Sequence, residues 1–318
     1  MTDGPPRALI VAGPTASGKS ALALEIAERR GGTIINADSM QLYRELRMIT
    51  ARPTAGEEAR VPHRLYGVRP AAEAASVAWW RGEALAAMAE AHEAGRVPIL
   101  CGGTGLFFHA LTTGLSAIPP VPPAAREEAR RLLAERGAPA VHALLDPETA
   151  SGLRPSDSQR VARAYEVLIG TGRGLVSWQK GGGTGPAPWC FAAILLDPPR
   201  DALRRAAGIR WQAMIAEGAL EEVRALVAAG LDPALPAMRA HGVPELVAYL
   251  AGRMTLEAAS ERAILNTGQY TKRQATWFRH HILAPPERMH IIHARYAGST
   301  QFSESDRANL IAFVGRVC

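Results

Sequence analysis

The segment Gly13-Pro14-Thr15-Ala16-Ser17-Gly18-Lys19-Ser20 fits the pattern G-x-x-x-x-G-K-[ST] and constrains this chain more than any other feature. An apolar run at 8–12 precedes it, and at 19–30 Leu22, Ile26 and Arg29 recur at helical spacing. Strand, loop and helix is the order that phosphate binding requires. Glycines let consecutive amides converge on phosphate oxygens, the helix N-terminus adds partial positive charge, and Lys19 adds a full one. Ser20 can hold Mg²⁺. Residues 13–20 therefore predict a site for a diphosphate or triphosphate. Which chemistry follows stays open, because kinases, NTPases and other transferases share such a loop.

The pattern of elements extends this start. A second apolar run at 33–36 gives strand, helix, strand, the opening of a doubly wound parallel sheet. An alanine-rich helix at 77–94, a buried strand at 97–101, a tight turn at 102–105 and a helix at 106–113 continue the alternation. Pro119, Pro120, Pro122 and Pro123 then break it, and the chain to Leu175 shows helical stretches with no strand candidate. Glycines at 181–185 mark a hinge, 191–196 returns as a strand, and helices at 201–217, 219–229 and 256–279 follow. The spacing predicts an α/β fold: a phosphate-loop core with a parallel sheet flanked by helices, plus an all-helical insertion domain. Its parts are residues 1–117 as the first half of the core, 118–190 as the insertion, and 191–318 as a mostly helical second half.

Composition narrows the setting. The chain has 318 residues, 47% of them hydrophobic, enough for a large core. No apolar run reaches the roughly 18 residues that span a bilayer, and residues 1–7 are polar, so no membrane partner and a cytoplasmic location are expected. Cys101, Cys190 and Cys318 are odd in number and far apart, which suggests reduced, structural thiols rather than a disulfide framework or zinc site. Lysine and arginine outnumber acids by 36 to 30, a balance that suits a polyanion and equally an arginine-rich genome.

Asn36-Ala37-Asp38-Ser39-Met40-Gln41-Leu42-Tyr43-Arg44 sets a carboxylate and hydrogen-bonding side chains past the carboxyl end of a strand, where ligands bind in such sheets. Asp38 suits a general base for a weakly nucleophilic aryl amine; a helix N-cap or a Mg²⁺ ligand are its other possible roles. Thr104, in the G-G-T-G turn at 102–105, suits a ligand contact or a plain turn hydroxyl. Gln159 and Arg163 share a helix face, with Arg160 beside it. Lys272, Arg273, Arg279, His280 and His281 stand among Tyr270, Trp277 and Phe278, a mix that suits RNA contact, while the aromatics equally fit one buried stripe. His63 fits a structural role or an RNA contact, for no second ligand lies at helical spacing.

In these segments the chain resembles the tRNA isopentenyl transferase family, whose signature is a loop G-P-T-A-S-G-K-S followed by a D-S-M-Q-V-Y-R segment. The resemblance runs on through Pro62-His63, Gly102 to Leu106, Asp157 to Glu166 with Thr171-Gly172, and Asp197 to Arg200, and closes in Gln269-Tyr270-Thr271-Lys272-Arg273-Gln274-Ala275-Thr276-Trp277-Phe278-Arg279. It implies transfer of a dimethylallyl group from dimethylallyl diphosphate to the exocyclic amine of the adenosine 3′ of the anticodon, in tRNAs reading codons that begin with U. By resemblance, Asp38, Thr104 and Lys19 are catalytic, with Asp38 taking the amine proton and Thr104 touching the leaving oxygen. Residues 13–20 and Arg210 hold the diphosphate, and Ser20 the Mg²⁺ cofactor. Asp38, Ser39, Met40, Gln41, Thr104, Arg126, Gln159, Arg160, Val161, Ala162 and Arg163 meet the anticodon stem-loop of a tRNA, and the enzyme is expected to be a monomer.

Five places depart from the family pattern. Ile49 stands for glycine and Arg52 for lysine, Ala206 to Gly208 replace an R-I-N-like stretch, and Ala240-His241-Gly242-Val243 replaces an A-I-G-Y-like one. Gly268 stands for arginine and Phe107 for tyrosine. The residues leave three alternatives: a phosphate-loop kinase or NTPase, an adenylate isopentenyltransferase acting on free nucleotide, and a silent tRNA-binding protein. The helical insertion and basic terminal helix are unnecessary for a small nucleotide, and retained Lys19, Asp38 and Thr104 argue for catalysis.

Overall fold

The computed structural model describes residues 4–298 and 303–317; Cys318 and residues 1–3 lie outside the described residues. The elements run β1 (Arg7–Ala12), α1 (Lys19–Arg30), β2 (Gly32–Asn36), α2 (Ala55–Arg60), β3 (His63–Arg64), α3 (Val77–Glu93), β4 (Val97–Gly102) and α4 (Gly105–Thr112). A second group follows: β5 (Leu115–Ser116), α5 (Pro123–His142), α6 (Pro147–Ser151), α7 (Ser158–Thr171), α8 (Leu175–Lys180) and β6 (Gly183–Thr184). The last are β7 (Cys190–Leu196), α9 (Arg200–Ala216), α10 (Ala219–Ala228), α11 (Val243–Leu250), α12 (Leu256–His280), β8 (Met289–Ile292) and α13 (Glu304–Val317).

The chain divides into two compact units, one of residues 1–112 and 187–318, the other Thr113–Pro186. In the larger unit six strands form a parallel sheet in the order β3-β2-β4-β1-β7-β8. β1 pairs with β4 and β7, so the chain leaves β1 towards one edge and β4 towards the other. Ligands in such sheets sit beyond the carboxyl ends at this reversal. Because side chains alternate along a strand, β1 serves two cores. Ala8, Ile10 and Ala12 join Trp80, Met88, Phe107 and Phe108 of α3 and α4 on one face. Leu9 and Val11 join Leu22, Ile26 and Ala27 of α1, and Phe313 and Val314 of α13, on the other. A third apolar cluster joins Tyr43, Leu46 and Ile49 to Trp211, Val223, Val243 and Leu246. Local capping sets the helix starts: Ser76 accepts from the Trp79 N–H at 3.1 Å, and Thr255 from the Ala258 N–H at 3.2 Å.

The smaller unit begins and ends about four to five residues before the expected 118–190. It is mostly helical rather than all-helical, for β5 and β6 pair antiparallel, Leu115 opposite Thr184 and Ser116 opposite Gly183. Two-residue strands are too short to show a period of two, and the glycines read as a hinge hide one of them. Val121, Ala125 and Val167 form one of its small cores, and Leu132, Val141 and Val161 another. β8, an edge strand of four residues, and α13 lie in the stretch after 279 to which the sequence pattern assigns no element. Among the described residues no helix is long and apolar enough to cross a membrane.

Candidate active site

Three turns meet at the carboxyl edge of the sheet: residues 13–18 after β1, Ala37 to Gln41 after β2, and Gly103-Thr104 after β4. In the first, Ala16 and Gly18 both take positive φ, 65° and 92°. This curls the backbone amides into an anion-binding concavity that opens on the N-terminus of α1. Gly18 is required twice, for its φ and because a Cβ there would collide with the Tyr296 carbonyl. Residues just after β8 brace the loop from behind: the Tyr296 N–H donates to Ser17 O at 2.8 Å, and Arg295 Nε to Ala16 O at 2.8 Å. No motif announces this bracing, and sequence reasoning missed it.

Lys19 is 8% exposed, and its ammonium is pushed below the usual lysine range by burial, with Asp38 pulling it back up. Arg210, projecting from α9, is also pushed down by burial and pulled up by Asp38; its Nη2 donates to Thr50 O at 2.8 Å, and its Nε is buried without a partner. Ser17 Oγ is likewise buried without a partner. Buried donors left unmade are costly, so this set is built for an incoming anion.

Asp38 follows β2 with no helix behind it, which removes the N-cap role. Its N–H donates to Asn36 Oδ1 at 2.8 Å and its Oδ1 accepts from the Met40 N–H at 3.0 Å, leaving Oδ2 outside this turn. Thr104 Oγ1 accepts from the Ser39 N–H at 3.0 Å, tying the β4 turn to the Asp38 turn. Gln41 Nε2 donates to Thr50 O at 2.9 Å, on the same carbonyl as Arg210. The structure thus brings together residues 13–20, 38–41, 104 and 210.

The third wall comes from α12 and the turn before α11, and the sequence pattern left it undecided. Tyr270 stands beside Thr104 and Gln274, and burial and the Asp38 charge hold its hydroxyl protonated well above the usual range. His241 stands 4.7 Å from the Tyr270 ring, pushed down by burial and by Arg273, whose guanidinium lies over that ring at 5.7 Å. The three aromatics do not share one buried stripe: Phe278 packs against Phe108, Trp277 stacks on His281 at 4.0 Å, and Tyr270 faces the site. Arg279 pairs with Asp197 at 3.1 Å.

Arg126, Gln159, Arg160, Val161, Ala162 and Arg163 belong to the smaller unit. There Arg126 and Arg163 converge on Glu166 at 3.1 and 2.7 Å, and Arg160 lies 3.6 Å from Asp157. Val161 departs from its expected place at an RNA surface. It is 0% exposed among Leu132 and Val141, because the helix face opposite the arginines must pack.

Three of the residues that depart from the family pattern have defined local contacts. Ile49 is buried beside Trp211 in the third cluster, Arg52 Nη1 donates to Tyr43 O at 3.2 Å, and Phe107 stacks on Trp80 at 4.1 Å. Cys101 is buried beside Ser20, its thiol pushed up to about 11 by burial. His63 bonds Val61 O at 2.9 Å, and among the described residues no three His, Cys, Asp or Glu side chains gather as a metal cage.

Comparison with known proteins agrees with this geometry. The family model described as IPP transferase matches residues 41–281. A tRNA dimethylallyltransferase of Acidiphilium cryptum is 58% identical over 96% of this chain and 94% of its own length. One of Granulibacter bethesdensis is 57% identical over 97% and 98%. Among solved structures, the full-length tRNA isopentenylpyrophosphate transferase from Bacillus halodurans is 29% identical, with a TM-score of 0.67 over 98% of this chain and 97% of that one. With motifs, sheet order and relatives in agreement along nearly its whole length, the chain belongs to the IPP transferase family.

Proposed function

We propose that this chain transfers a dimethylallyl group from dimethylallyl diphosphate to the exocyclic amine of the adenosine 3′ of the anticodon in tRNAs reading codons that begin with U. The observation that carries it is the gathering of two buried cations, Lys19 and Arg210, around Asp38 at the carboxyl edge of the sheet, close enough for its charge to raise both. Allylic displacement needs both parts. The amine nitrogen forms a bond to the allylic carbon while the carbon–oxygen bond breaks, its electron pair staying on the bridging oxygen. Lys19, Arg210, Ser17 Oγ and the loop amides hold that developing charge in a preorganised, partly dry site. Thr104 stands at the bridging oxygen, and Asp38 takes the amine proton as the new bond forms. Ser39, Met40 and Gln41 line the adenosine's place.

Mg²⁺ fits here as a cation bound mostly through substrate, since Mg²⁺ keeps waters and diphosphate oxygens and takes few protein ligands. Ser20 Oγ, at the exposed first turn of α1, would be its protein ligand. When bound, the ion neutralises charge on the leaving diphosphate. Arg126, Gln159, Arg160 and Arg163 contact the anticodon stem-loop. The protein acts in the cytoplasm, as a monomer.

The test is incubation with dimethylallyl diphosphate, Mg²⁺ and unmodified tRNA, followed by nucleoside mass analysis. N6-(dimethylallyl)adenosine next to the anticodon is the expected product. Hydrolysis of a nucleoside triphosphate with no prenylated nucleoside would contradict the assignment.

A further inference from the structure

Gln274, one turn after Tyr270 on α12, is 5% exposed, and every atom of its side-chain amide is engaged. Oε1 accepts from the Thr15 N–H at 2.8 Å and from the Thr15 hydroxyl at 3.1 Å. Nε2 donates to the Gly103 carbonyl at 2.9 Å. The partners fix the amide's orientation, for a flip would face Nε2 against the Thr15 N–H and Oε1 against a carbonyl. A Cβ on Gly103 would collide with Nε2, so the turn's second glycine admits the amide.

One end of this side chain therefore holds the loop after β1, and the other holds the turn after β4. The hydrogen bonds continue past it. Gly103 leads directly into Thr104, whose Oγ1 accepts from the N–H of Ser39, the residue after Asp38. A continuous chain links the phosphate loop to the turn that carries the general base. Its contact to Gly103 is buried, and those to Thr15 and Ser39 are partly buried.

We propose that Gln274 is a positioning residue that sets the separation between the diphosphate and the acceptor amine, an inference that rests on the function proposed above. It touches neither substrate in that arrangement. Its effect falls on the rate with both substrates bound, because a displacement of about 1 Å in reacting groups can cost about 10²-fold.

Two substitutions separate this role from simple packing. Gln274→Met keeps length and bulk and unmakes both ends; Gln274→Glu keeps the acceptor end and sets a carboxylate oxygen against the Gly103 carbonyl. Rapid-quench transfer at saturating tRNA and dimethylallyl diphosphate gives the rate, filter binding gives tRNA affinity, and thermal unfolding reports the fold. Both variants are expected to bind tRNA within about twofold of wild type while transfer slows by about 10- to 100-fold. Folded Gln274→Met with a wild-type rate, or a defect confined to tRNA affinity, overturns the proposal. Where Gln274→Met does not fold, Gly103→Ala carries the test. Its methyl pushes the Gln274 amide off the Gly103 carbonyl while residue 274 itself is unchanged, the same loss of rate is expected, and a wild-type rate overturns the proposal. A wild-type enzyme that transfers nothing to tRNA would sink the functional reading instead, so the two failures are told apart.

Discussion

The phosphate loop and the smaller unit place their cations in opposite settings. Lys19 and Arg210 are held below their usual pKa by burial, and among the described residues neither has an ion-pair partner. Arg126, Arg131, Arg160 and Arg163 are exposed and already paired with Glu166, Glu128, Glu135 and Asp157. A buried cation without a direct salt bridge gains much from one defined anion and is little screened by salt. An exposed, paired arginine gives up a contact worth about 0–1 kcal/mol and can trade it for a backbone phosphate. The first setting suits chemistry on a diphosphate, and the second suits reversible grip on a long polyanion.

Substitutions at the sheet edge test one side of this contrast and have the largest expected effects. Asp38→Asn is expected to slow single-turnover transfer by about 10²- to 10⁴-fold with tRNA binding unchanged. For Lys19→Ala, kcat/KM for the donor falls by about 10²- to 10³-fold, because its contact strengthens as charge develops on the leaving oxygen. Donor affinity measured by equilibrium dialysis should be nearly insensitive to salt; a steep salt slope would break the comparison.

The other side is tested in the smaller unit. Arg126→Ala with Arg163→Ala is expected to weaken tRNA binding by about 5- to 10-fold and to reduce the slope of log affinity against log salt by about 2, leaving donor affinity untouched. Glu166→Gln frees both arginines and should tighten tRNA binding by about two- to threefold at low salt, an effect that filter binding at two salt concentrations resolves. Val161→Ala sharpens the boundary between surface and core. It should lower unfolding free energy by about 1–2 kcal/mol in a denaturant titration and leave tRNA affinity of the folded protein unchanged.

The curled loop at 13–20 was legible because its pattern is written in eight consecutive residues, between a strand and a helix whose periods are plain. The place of Asp38 was legible too, since it stands just past the carboxyl end of β2. The rest of the site is assembled across the chain. Tyr270 and His241 meet only through tertiary packing, and Arg295 and Tyr296 reach the loop from beyond an edge strand too short to show a pattern. Gln274 stood in view inside a motif, yet its role depends on where Gly103 comes to lie. Val161 shows the converse: a motif treated as one contact surface contains a residue that the helix period sends inward.

The central claim, that Asp38 takes the proton from the amine, is tested most directly by varying donor and Mg²⁺ separately in single-turnover transfer at saturating tRNA, for wild type and Asp38→Asn. A general base predicts a slow variant whose donor affinity matches wild type and whose rate added Mg²⁺ does not restore. A defect that added Mg²⁺ rescues would make Asp38 a metal ligand instead, and near-wild-type turnover would remove the adenosine from beside it.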